Sequence, residues 1–248
     1  MKTKKHSLLH AVAIAMVAMI AVACGNEPAK PENENNNKLH EDPTTAVFTL
    51  VEGTLKGEAR FEANPSEDDF VADATSKQVI YWEVVKGENF RITNRGLSKF
   101  QVKSTHDNPN VVYALTIDYY NAKGEPMNKQ FFENEQDKIH QHFFEYFRHN
   151  GTALVRVKKH DELPFDYTYA DVLNGKFIGN SNPMGFKGFV KFNGNVKKFD
   201  LTVSLMHSGN KTKFDRDGKP SPFWMPSKEQ VGKALWDFKV ILPIEVIK

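Results

Sequence analysis

The chain reads as an all-β protein, an antiparallel β-sandwich or barrel with little helix, on three observations. Short runs of β-branched and aromatic residues recur from Ala46 to the C-terminus, and clusters of Gly, Asn, Asp and Pro separate them. Phe199-Asp200-Leu201-Thr202-Val203-Ser204-Leu205 alternates cleanly, so one face of that strand is buried and the other wet. The 19 Phe supply the apolar area for one large core or two small ones.

In chain order the predicted strands are Ala46–Leu55, Gln78–Val85, Phe90–Thr93, Phe100–Lys103, Val111–Tyr119, Ile139–Phe147, Thr152–Lys158, Gly185–Phe192, Phe199–Met206 and Leu235–Ile244. Helix is confined to a short turn at Lys228–Lys233. Strands at this spacing suit a sandwich or barrel. Two turns resemble one another, Asn121-Ala122-Lys123-Gly124-Glu125-Pro126 and Asp215-Arg216-Asp217-Gly218-Lys219-Pro220. They read either as marks of two related β-units or as the Asx-rich, Gly-closed turns of any antiparallel protein. Asp215-Arg216-Asp217-Gly218 lacks the ligand spacing of a calcium loop.

The N-terminus predicts a different environment for the whole domain. Lys2, Lys4 and Lys5 precede a small and apolar run from Ala11 to Ala23, and Ala21-Val22-Ala23-Cys24 has the pattern of a lipobox. Residues 1–23 are thus expected to be a cleaved signal, and Cys24 a lipidated N-terminus that anchors the chain to a membrane without spanning it. Residues 24–45 are the lipidated cysteine and a flexible tether, because GNEPAKPENENNNKLHEDP has almost no apolar surface to bury. Residues 46–248 form the β-rich ligand-binding domain. Because Cys24 is the only cysteine and the expected lipidation site, an intramolecular disulfide, a thiolate metal site and a cysteine nucleophile are excluded. Loss of three lysines with the signal moves the formal charge from +2 to −1, and no long basic block remains, which argues against a nucleic-acid partner.

Ile139-His140-Gln141-His142 is the sharpest chemical motif. Two histidines two residues apart on a strand project from one face, about 7 Å apart, within reach of one metal ion, while Phe143 is expected to turn to the opposite face as core. His207, at the end of the Phe199–Met206 strand, is the expected third ligand. Glu145, His149 and Met206 are possible additions, with Glu133 and Glu135 nearby in sequence. Imidazole with carboxylate suits zinc, copper or nickel. Haem is the other cofactor expected, with His140 or His142 opposite His207 or Met206, and with Met184, Met225, Phe223 and Trp224 lining the slot. Phe223 and Trp224, between Pro222 and Pro226, offer an alternative site that stacks on glycans. No nucleophile elbow, phosphate loop, dinucleotide fingerprint or zincin helix occurs, so a non-catalytic protein is expected.

Three resemblances follow from these residues. The lipobox and the polar, acidic tether, with Gly25 after the cysteine, resemble the outer-membrane surface lipoproteins of the Bacteroidota. That resemblance implies a lipid-anchored, cell-surface address and a partner such as a TonB-dependent uptake receptor. His140, His142, Glu145 and Gly151 are similar to the first motif of the cupins, with the glutamate one or two residues early. Pro183-Met184-Gly185 echoes the second motif, but Gly188 stands where its histidine belongs. The pair is also similar to the zinc strand of the alpha-type carbonic anhydrases, with no third histidine strand to match. The function expected is binding of a metal ion or haem as an accessory to a TonB-dependent receptor; the alternative is a carbohydrate- or protein-binding surface module.

Overall fold

The computed structural model describes residues 40–84, 90–93, 95–209, 212–232 and 234–247. The predicted signal, Cys24 and the tether up to residue 39 lie outside them. Two sheets face each other. The seven-stranded sheet runs in the order β4 (Phe90–Ile92), β3 (Gln78–Val84), β1 (Thr45–Leu55), β6 (Val112–Tyr120), β12 (Lys187–Phe192), β9 (Phe165–Tyr169), with β2 (Phe70–Ala72) also against β1. The five-stranded sheet runs β5 (Phe100–Lys103), β14 (Leu235–Ile247), β13 (Lys198–His207), β7 (His140–Asn150), β8 (Ala153–Arg156). All pairings are antiparallel except β5 with β14, which is parallel. A hairpin, β10 (Val172–Leu173) with β11 (Lys176–Phe177), stands apart, and Lys228–Val231 forms one helical turn. The fold is therefore the predominantly antiparallel β-sandwich expected, each of the ten predicted strands being present within a few residues.

Alternation sets which side chains meet between the sheets. Ala46, Phe48 and Leu50 of β1 and Tyr113, Leu115, Ile117 and Tyr119 of β6 point inward and are buried. Phe199, Leu201, Val203 and Leu205 of β13 and Phe238, Val240, Leu242 and Ile244 of β14 oppose them. The Phe238 ring lies 5.0 Å from Tyr119 and 6.1 Å from Phe48, and Phe144 of β7 stacks on Tyr167 of β9 at 3.9 Å. His140 and His142 share this inward face with Phe144, whereas Phe143 turns outward against Trp236 at 6.1 Å. The expected polarity of β7 is thus inverted: both faces are covered, and the histidines lie on the core side. Burial on both faces removes the apolar/polar alternation from which that side was inferred.

The folded region also begins earlier than the tether boundary suggests. Pro43 is buried, the Thr44 amide donates to Tyr120 O at 2.9 Å, and the Thr44 carbonyl accepts from the Val84 amide at 2.8 Å. His40 is only 8% exposed. The two similar turns share one construction. Asn121 Oδ1 accepts from the amides of Lys123 and Glu125, Asp215 Oδ1 accepts from those of Asp217 and Lys219, and each turn closes on a bridge to proline.

Candidate metal centre

Four side chains converge at one end of the sandwich: His40 from the segment before β1, His140 from the start of β7, His207 from the end of β13 and Asp237 from the start of β14. His140 and His207 are direct cross-strand partners. Asp237 arrives through a β-bulge: Leu205 pairs with Phe238 and Met206 with Trp236, so Asp237 is the extra residue. In a regular strand Trp236 would share the inward face of Phe238 and Asp237 would point to solvent. The bulge shifts this parity, leaving Trp236 37% exposed and the Asp237 side chain fully buried.

His140 Nε2 lies 3.1 Å from His40 Nε2 and 3.4 Å from Asp237 Oδ2. Asp237 Oδ2 is 3.5 Å from His40 Nε2 and 3.6 Å from His207 Nδ1. All four ligand atoms fall within 4.8 Å of one another. A tetrahedral ion with bonds of about 2.0–2.1 Å has ligand atoms about 3.3 Å apart, so four of the six separations lie close to that edge.

Backbone carbonyls fix the tautomers. A carbonyl can only accept, so His140 Nδ1–H donates to Gln136 O at 2.9 Å and His40 Nδ1–H donates to Glu41 O at 3.0 Å. In both neutral rings Nε2 then carries a lone pair, and the two lone pairs face each other beside a carboxylate. His207 Nδ1 is buried with no hydrogen-bond partner. A cation resolves this collection of acceptors, as either a metal ion or a proton on an imidazole. Burial holds the His140 imidazole below the usual histidine range, against the upward pull of Asp237, which favours the neutral ligand form. The carbonyl contacts are those that orient metal-bound histidines elsewhere.

His142 stands outside this group. Its Nδ1–H donates to Met184 O at 2.7 Å, so its Nε2 accepts the Tyr119 hydroxyl, also at 2.7 Å. Both nitrogens are satisfied, and burial pushes the ring's pKa down to about 3. The expected pairing of His140 and His142 on one ion is corrected on this ground: they share a face, but Met184 and Tyr119 occupy both ring nitrogens of His142. Gly185 makes this possible, since its φ is +85° and a Cβ there would lie 2.7 Å from the His142 Cβ.

The other predicted residues lie elsewhere. Glu145 points to the outer face, where Arg156 Nε approaches to 2.7 Å and Ser204 Oγ donates at 3.1 Å. Exposed His149 is at the far end of β7, about 30 Å from His140. Met206 is fully buried and alternates away from the His207 face. These three are not ligands in this arrangement. Phe223 is buried at 5% exposure, its carbonyl accepting from the Phe144 amide, and the half-buried Trp224 stacks on His160 at 4.4 Å and 10° while its Nε1–H donates to Lys158 O. The aromatic loop is thus packed through Phe223, with Trp224 half-buried against His160. Gly188, at the place of the missing cupin histidine, is crossed by the Tyr167 hydroxyl, and any side chain there collides with it.

Haem does not fit this centre. A porphyrin about 10 Å across cannot pass between ligand atoms 3.1–3.6 Å apart on side chains that are 0–8% exposed. Behind His140, the buried Lys213 ammonium donates to His140 O at 3.0 Å and Pro183 O at 2.6 Å, tying β7 to the Met184 loop. Burial lowers its pKa to about 7.

Neither His40 nor Asp237 figures among the predicted ligands. Both left a trace in the sequence: a histidine at the edge of an otherwise uniform polar tract, and an acid between two aromatics in Leu235-Trp236-Asp237-Phe238. Among the described residues no helix is long and apolar enough to cross a membrane. No protein-family model, curated protein or solved structure matches the chain.

Proposed function

We propose that the protein binds one divalent transition-metal ion of the zinc class through His40, His140, His207 and Asp237, as the exported, lipid-anchored binding domain of an accessory to a TonB-dependent uptake receptor. The observation that carries the metal reading is the pair of tautomer-fixed Nε2 lone pairs 3.1 Å apart beside the Asp237 carboxylate. Such a group is costly without a cation and complementary to one. Three imidazoles and one carboxylate suit zinc, with copper and nickel as the nearest competitors, and the site is too small for haem. Four protein ligands make a closed site, which suits holding an ion rather than reacting at it. Export and anchoring rest on the signal, the lipobox at Cys24 and the tether; a tethered binder stays in the membrane plane at high effective concentration near a receptor.

The test is elemental analysis of purified protein after chelator treatment and zinc reloading, beside His140→Ala, His207→Ala and Asp237→Asn. One zinc per chain in the parent, and loss of at least 1000-fold in affinity in the variants, is expected. A folded parent that takes up no zinc, copper or nickel overturns the reading. A haem titration run in parallel should give no Soret shift dependent on His140.

A further inference from the structure

Three of the four ligands sit on β7, β13 and β14, strands locked to each other by the sheet ladder. His40 does not. It lies on the short segment before β1, outside the sheet ladder, in which Pro43 is buried and Glu41 is held by side chains at the surface. The Glu41 amide donates to Gln130 Oε1 at 3.0 Å and Asn121 Nδ2 donates to the Glu41 carboxylate at 3.3 Å, both at the surface. The chain enters the sheet only at Thr44. The His40 ring itself is buried, 4.5 Å from Phe131 and 4.8 Å from His140. His140 and Asp237 have no exposed side-chain surface, and His207 is 7% exposed.

A closed four-ligand site must open for an ion to enter or leave, and the ligand held by the fewest ladder bonds opens at least cost. We infer that His40 is the gate of this centre: residues 40–42 swing out with the His40 imidazole to admit or release the ion, while His140, His207 and Asp237 remain as a preformed three-ligand cradle. This inference rests on the ion-binding reading above. On opening, the His40 Nε2–metal bond is replaced by water or by a donor group of an acceptor protein, with no change in the oxidation state of the ion. On closing, His40 displaces that ligand and its ring covers the centre against Phe131. Binding an ion would then fasten the segment that joins the domain to its tether, and release would free it.

Two measurements on the full-length protein decide the matter. The first is zinc release to a coloured chelator by stopped flow, for the parent, His40→Ala and His40→Gln. Both variants should retain one zinc per chain, with affinity lowered 10- to 1000-fold and release accelerated at least 10-fold; neither touches a sheet ladder, so folding should persist. The second is cleavage after Glu41 by a glutamate-specific protease. Zinc should slow it at least 5-fold in the parent and leave it unchanged in the variants. A zinc-loaded parent whose release rate matches that of both variants, or whose cleavage after Glu41 ignores zinc, overturns the gate while leaving the ion site intact. A parent that binds no zinc overturns the ion reading and the gate with it.

Discussion

His140 and His142 leave the same strand, from the same face, two residues apart, and they do opposite things. His142 is bracketed by one acceptor and one donor, the Met184 carbonyl and the Tyr119 hydroxyl. His140 is bracketed by acceptors, the Gln136 carbonyl on one side and the lone pair of His40 with the Asp237 carboxylate on the other. A neutral imidazole offers one donor and one acceptor, so the first environment is complete, and the second is completed by a cation, either a metal ion or a proton on one imidazole. The difference teaches that spacing brings two histidines to a face, whereas the donor or acceptor character of what lies opposite decides whether either can ligate.

The largest effect that would break this comparison is on metal affinity. His140→Ala should lower zinc affinity at least 1000-fold, about 4 kcal/mol, while His142→Ala leaves it within about threefold once folded protein is compared. Equilibrium dialysis of zinc-65 against both variants checks this; equal losses would mean that the two histidines act together after all.

Reversing the readout reverses the roles. His142→Ala removes a buried ring and leaves the Tyr119 hydroxyl and Met184 carbonyl without their partner, a loss of about 3 kcal/mol or more in urea denaturation. In metal-free protein His140→Ala should cost much less, because it also removes a lone-pair conflict. A His140 variant as unstable as the His142 variant without metal would place His140 in the core and not in a centre.

The support behind His142 carries a pH signature. Asp171 accepts from the amides of Met184, Gly185 and Lys187 at 3.3, 2.7 and 3.0 Å, holding the loop that presents the Met184 carbonyl. Burial raises its carboxyl from 3.8 to about 6, although those same amides pull it down. A carboxyl with a raised folded pKa keeps its proton where the unfolded chain has lost it. Its stabilising contribution is therefore complete below about pH 4 and is lost as pH rises through 6, on the order of 3 kcal/mol. Asp171→Asn lacks that dependence. The stability advantage of the parent over the variant should shrink between pH 4 and 7, and a difference that stays flat in urea titrations would refute it.

What could be read beforehand divides along the same physical line. Ten strands announce themselves because β-branched and aromatic runs are a local property. β9, with Phe165, Tyr167 and Tyr169 alternating, is masked by the polar residues around it and by the flanking Pro164 and Asp171, and the two-residue β10 and β11 carry no periodicity at all. His140 and His207 were legible as residues at strand ends. Asp237 was not, because a bulge that reverses parity depends on how β13 and β14 pair. Nor was His40, whose burial depends on Phe131 and a strand a hundred residues away. The satisfaction of His142 requires Tyr119 and Met184, neither of which is near it in sequence.

The smallest effect is also the most discriminating. Tyr119→Phe keeps the ring that packs against Phe131, Phe186 and Phe238 and deletes only the hydroxyl that donates to His142 Nε2. A buried nitrogen acceptor is then left unfilled, at a cost of about 1–2 kcal/mol, and zinc affinity should change by less than about threefold. Nitrogen-15 NMR of the imidazoles reads the same contrast without unfolding the protein. Both rings should show the Nδ1–H tautomer in metal-free protein, set by their carbonyl partners. Addition of zinc should move Nε2 of His140 and leave Nε2 of His142 in place, whereas Tyr119→Phe should move Nε2 of His142 alone. If zinc shifts both rings, the Tyr119 hydroxyl does not hold His142 apart from the ion, and the centre extends one turn of the pleat further into the core.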